Sequence, residues 1–142
     1  MYSGNQHICS DIGISFQHHV QKLDNGNILI YDNGNLSQIF RDTEHAETRI
    51  LELDIENNCE VIFEYTFPLD WTTWGMGSVK KLDNNNYLIS SYVEDGTLFE
   101  VNQAKEIIWK TTINKYGLYR AFRLESIFPK RFDIFYENLI SY

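Results

Sequence analysis

The sequence predicts an all-β protein: antiparallel four-stranded, propeller-like blades forming an incomplete β-propeller of about two full blades plus partial ends. Three observations predict it. The chain nearly repeats itself, with VQKLDNGNILI at 20–30 recurring as VKKLDNNNYLI at 79–89, and LELD at 51–54 recurring as FEVN at 99–102. Each copy carries two hairpin signals, and no segment competes with convincing helical periodicity. Aromatic residues reach 15%, with nine Tyr, nine Phe and three Trp, a composition that suits strands.

The elements follow in order. Val20, Leu23, Ile28 and Ile30 surround Asp24-Asn25-Gly26-Asn27, where Asn and Gly supply the positive φ of a tight hairpin. A second hairpin runs from Ile50–Leu53 through a polar turn at 54–60 to Val61–Tyr65. The next copy repeats the device: Val79 and Leu82, then Asp83-Asn84-Asn85-Asn86 with Asn85 in the place of Gly26, then Tyr87–Ile89. Its second hairpin joins Leu98–Val101 to Ile107–Lys110 around 102–105. Short helical turns are expected only at 42–48 and near 136–140.

Residues 1–142 are read as one domain, with repeat units at about 16–68 and 75–115. The first unit carries an insertion at about 36–48, and such insertions map to loops on one face, often the binding face. Closed propellers use about 4–8 blades, so the expectation is a piece of a longer propeller. Its unpaired edge strands would offer a route to self-association.

A formal charge of −8 and the absence of any basic run disfavour nucleic acid as a partner. No apolar stretch approaches the roughly 18 residues of a membrane span, so no membrane partner is expected. The first residues lack the charged start and continuous apolar run of a secretory signal. Cys9 and Cys59 leave two readings open, a single disulfide or two separate thiols. The four histidines show no ligand spacing, and the Asn-rich turns are too short for an EF-type calcium loop. Neither a metal nor a cofactor is predicted.

HHVQ at 18–21, NGNILIYDNGN at 25–35, TRILELD at 48–54, VIFEYTFP at 61–68, GSVKKLDNNNYLIS at 77–90 and YRAFRLESIFP at 119–129, taken together and in this order, resemble the arylsulfotransferase family. The likeness covers about residues 16–129. It implies the C-terminal part of a six-bladed bacterial propeller of periplasmic or secreted character. It also implies transfer of a sulfuryl group from an aryl sulfate to a phenol through a sulfated histidine.

By that resemblance His18 takes the nucleophile's place, with His19 on the opposite face of its strand, since neighbouring strand residues alternate. Sulfuryl transfer needs positive charge around developing anionic oxygens, which makes Arg49, Arg120 and Arg123 candidates for substrate binding. Trp74 and Tyr119 are candidates for stacking on the aryl group. The chain departs from the family pattern twice. Asp32-Asn33-Gly34-Asn35 is followed by no arginine before Arg41, and the second copy has Gly75-Met76-Gly77-Ser78 where the first has Phe16-Gln17-His18-His19. These departures favour the rival reading, a noncatalytic propeller module that binds or scaffolds.

Overall fold

The computed structural model describes residues 9–93, 96–113 and 118–124; His7 and the turn expected near 136–140 lie outside them. Strands β1 (Gln17–Lys22), β2 (Ile28–Asp32), β3 (Arg49–Asp54) and β4 (Glu60–Thr66) form one antiparallel sheet in chain order. Strands β5 (Ser78–Lys81), β6 (Tyr87–Ser91), β7 (Thr97–Val101) and β8 (Ile107–Thr112) form a second. The protein is therefore all-β, with two four-stranded propeller-like units.

Turn chemistry sets the register. The Leu23 N–H donates to the Asn27 carbonyl at 2.8 Å, and Leu82 does the same to Asn86 at 2.8 Å. The left-handed position is held by Gly26 at φ 93° in one turn and by Asn85 at φ 65° in the other, residues that tolerate that region. Val20 then pairs with Ile30, and Val79 with Ile89.

The two sheets pack face to face. Alternation gathers Leu29, Tyr31, Ile50, Phe63 and Tyr65 of the first unit with Val79, Tyr87, Ile89, Phe99 and Val101 of the second, and Phe67 and Trp71 join them. Phe63 and Tyr87 stack with ring centroids 4.1 Å apart, while Phe99 meets Phe67 and Trp71 at 5.4 Å each. Each such pair contributes about 0.5–1.5 kcal/mol beyond its buried area. Tyr31, Phe63, Tyr65, Phe67, Trp71, Tyr87 and Phe99 thus form the aromatic layer that joins the units.

On its other face the first sheet buries Ile30, Leu51 and Leu53 beneath Cys9, Ile12 and Ile14. A Cys9–Cys59 disulfide fastens this strap, with the two Cα atoms 5.5 Å apart, and selects between the two readings of the cysteines. The helical turn of the insertion is α1 (Ser37–Phe40), ahead of the 42–48 stretch where it was expected. Buried Ser37 is the reason. Its hydroxyl accepts the Glu47 N–H at 3.0 Å and donates to the His45 carbonyl at 3.1 Å, so that stretch folds back as a loop.

One device recurs at each junction between units. Glu52 is fully buried, accepts from Asn27 Nδ2 at 2.7 Å and Tyr87 Oη at 2.7 Å, and takes Lys81 Nζ at 2.7 Å from the second unit. Glu100, equally buried, accepts from Asn86 Nδ2 at 2.7 Å and pairs with Arg123. Val79-Lys80-Lys81-Leu82 aligns with Ala121-Phe122-Arg123-Leu124. The segment 118–124 therefore begins a third copy of the repeat, beyond the expected unit boundary at 115.

Candidate functional site

A cavity of about 400 Å³ is lined by His19-Val20-Gln21, Ser78-Val79-Lys80 and Arg120-Ala121-Phe122. These are equivalent tripeptides of three successive repeats, the first two drawn from β1 and β5. A site built this way needs the units packed together.

Its charge is the opposite of the chain's. Lys80 and Arg120 are cationic, and none of its lining residues is acidic, although the whole sequence carries −8. The Lys80 ammonium lies 5.7 Å from the Phe122 ring centroid, and the Arg120 guanidinium lies 5.7 Å from that of Tyr119. Aromatic faces hold these cations without neutralising them, so the cavity presents a field suited to an anion.

His19, not His18, lines this cavity. The register pairs Gln17 with Asp32 and His19 with Tyr31, leaving His18 as the extra residue of a β-bulge. A bulge re-aims its side chain, so strict alternation fails here. His19 Nδ1 accepts the Val79 N–H at 3.3 Å. Burial, and then the charge of Arg120, hold the His19 pKa below its ordinary value.

His18 is exposed, yet its ring is anchored. Nδ1 lies 2.8 Å from Asn33 Oδ1 and 3.1 Å from the Phe16 carbonyl. Asn33 is itself fully buried, its Nδ2 donating to the Thr73 carbonyl at 3.1 Å, Thr73 Oγ1 at 2.9 Å and the Met76 carbonyl at 3.1 Å. The loop leading into the second unit thus positions a histidine of the first. Beside the ring runs Gly75, where an added Cβ would stand 3.7 Å from His18 Nε2. Trp74 and Met76, its neighbours in sequence, and Phe16 before the histidine are exposed apolar residues.

The other candidates part company. Arg120 lines the cavity, with Tyr119 beneath its guanidinium. Arg123 is engaged with Glu100 at the junction. Arg49 is almost wholly buried: Nε donates to Asp32 Oδ2 at 3.0 Å, Nη1 to Glu64 Oε1 at 2.9 Å and Nη2 to the Ile12 carbonyl at 2.5 Å. Asp32 also accepts the Ser15 N–H at 2.9 Å, so Arg49 ties the strap to the sheet. Trp74 is exposed at 72% and lines a separate hollow with Gln38, His45 and Leu69, apart from the cationic cavity.

Sequence reasoning passed over His19, Lys80 and Asn33. Extending the repeat to a third copy at YRAFRL would have brought the first two together, because all three tripeptides then share one register. The fold and cavity define a propeller-like repeat protein with a cationic site on its first strands. No family model, curated protein or solved structure matches the chain.

Proposed function

We propose that this chain is arylsulfotransferase-like, moving a sulfuryl group from an aryl sulfate to a phenolic acceptor through His18. The observation that carries the reading is the anchored ring: Nδ1 is held by buried Asn33 and the Phe16 carbonyl, and the exposed imidazole keeps Nε2 for chemistry. Nε2 attacks sulfur, an N–S bond forms, and the S–O bond to the aryl group breaks with its electron pair leaving on the phenolate oxygen. The acceptor's phenolate oxygen then attacks the same sulfur. The N–S bond breaks, its pair returns to the imidazole, and the proton given up by the acceptor phenol balances the one taken by the departing phenolate.

Positive charge is the second need of such a transfer. With Arg49 and Arg123 held in ion pairs, the candidate cations are Arg120 and Lys80, in the cavity that the neighbouring His19 lines. Phe16 and Met76, exposed and close in sequence to His18 and Gly75, are the apolar side chains offered to the aryl ring. The same ion pairs favour the rival, a noncatalytic propeller module that keeps the cavity as a binding site.

Incubation with 4-nitrophenyl sulfate and phenol separates the two. The transferase reading expects release of 4-nitrophenol above background and a peptide containing His18 heavier by one sulfuryl group, both lost in His18→Ala. Equal background rates for the two proteins would end it.

A further inference from the structure

His18 and His19 are adjacent in sequence and opposed in chemistry. Around His18 Nδ1 stand two oxygens that only accept, the Phe16 carbonyl and Asn33 Oδ1. The Asn33 amide has one orientation, because its nitrogen faces the Thr73 and Met76 carbonyls, which also only accept. His18 Nδ1 must therefore carry the proton, and the neutral ring keeps its lone pair on Nε2. Around His19 the logic inverts. The Val79 N–H only donates, so His19 Nδ1 holds the lone pair and Nε2 holds the proton.

We infer that the fold holds these neighbouring histidines in opposite tautomers: His18 with an exposed Nε2 lone pair that receives the transferred group, and His19 with an Nε2–H that donates to an anionic oxygen in the cationic cavity. The two roles rest on the proposed sulfuryl transfer; the tautomers do not. Asn33 is then a positioning residue, acting through His18. Thr73, Met76 and Val79 all belong to the second unit or the loop that leads into it. The contact between units thus sets His19 directly and His18 through the orientation of Asn33, and a first unit standing alone would lose the first setting and keep only the Phe16 carbonyl for the second.

Long-range 1H–15N spectra of the full chain with labelled histidine, taken at mildly alkaline pH, read the tautomers directly. His18→Gln and His19→Gln assign the signals. The expected result is a protonated-type Nδ1 and lone-pair-type Nε2 for His18, with the reverse for His19. An unconstrained histidine favours Nε2–H, so finding both rings in that form overturns the inference, and the wild-type spectrum decides this without any variant. Asn33→Ala should shift the His18 tautomer ratio by about tenfold, the loss of roughly one hydrogen bond, while Asn33→Asp retains the acceptor and the tautomer. An unchanged ratio in Asn33→Ala would overturn the role given to Asn33.

His19→Ala should weaken calorimetric binding of 4-nitrophenyl sulfate by about tenfold, and His19→Gln, which keeps a donor, should retain most of the affinity. Equal affinity in wild type and His19→Ala would overturn the donor role. Opposite tautomers without any sulfated His18 would remove the transferase reading and leave the tautomer inference standing. Sulfated His18 with the two rings in the same tautomer would do the reverse.

Discussion

Gly75 and Gly77 lie two residues apart and meet opposite constraints. At Gly77, φ is 99° and an added Cβ would stand 2.3 Å from Tyr31 Cζ. Tyr31 has no room to retreat: it is fully buried, and its hydroxyl meets Thr73 Oγ1 at 3.1 Å and Ser91 Oγ at 3.2 Å. Gly77→Ala should therefore cost about 2–4 kcal/mol, backbone strain and overpacking together. At Gly75 the nearest contact of a new Cβ is an ordinary 3.6 Å, to His18 Cε1, so Gly75→Ala should stay within about 0.5 kcal/mol. Urea midpoints check both, and a larger loss at Gly75 than at Gly77 would contradict the packing described. Asn33 belongs to this scale too. In sequence it reads as part of an Asp-Asn-Gly turn, because its partners Thr73 and Met76 lie some forty residues further on.

The turn asparagines close a hairpin and also clamp a carboxylate. Asn25 Oδ1 caps the Asn27 N–H at 3.1 Å while Asn27 Nδ2 holds Glu52, and Asn84 and Asn86 repeat the arrangement with Glu100. Lys81→Met would leave Glu52 buried without its cation and should cost about 2–3 kcal/mol. Adding Glu52→Gln should recover part of that, because the glutamine oxygen still accepts from Tyr87. If the double variant is less stable than Lys81→Met in urea unfolding, Glu52 is not held as described. The hairpins were legible because alternation and an Asn-Gly turn act within a few residues. The clamp was not: Glu52 between Leu51 and Leu53 reads as a solvent-facing strand position, and it is buried only because a second sheet arrives there.

The disulfide strap acts at the same level. Cys9 and Cys59 close a loop of 50 residues, a constraint on the unfolded chain of about 4 kcal/mol. Cys9→Ser/Cys59→Ser should lower stability by roughly that amount, measured beside the untreated and reduced wild type. No change on reduction would mean that Ile12, Ile14 and the Arg49 contact hold the strap unaided.

Across the whole molecule, the buried ionisable groups point to loss of stability in acid. Burial alone would raise the Glu52 and Glu100 pKa values, but hydrogen bonds from Lys81, Tyr87 and Asn27, and from Asn86, Asn84 and Arg123, outweigh it and bring both below the ordinary value. A carboxyl depressed by folding stabilises above its unfolded pKa, and that stability fades as pH falls from about 4.5 through the folded value. His19, held below its ordinary 6.5, binds fewer protons when folded and so weakens the fold as pH drops under that value. Thermal midpoints should therefore fall in two stages on acidification, with the later stage flattened in Glu52→Gln. Midpoints that hold level from neutrality to about pH 5 would contradict the setting of His19, and midpoints that stay level on below about pH 4 would contradict that of the two carboxylates.

Alternating side chains and two asparagine-rich turns were enough to read strand order, hairpin register and the aromatic content of the core, since each is encoded in contacts a few residues long. The cationic cavity, the orientation of Asn33 and the clamped carboxylates were settled by packing. They join β1 to β5, Asn33 to Thr73, and Glu52 to Lys81, pairs separated by tens of residues that meet only when one sheet's apolar face closes on the other.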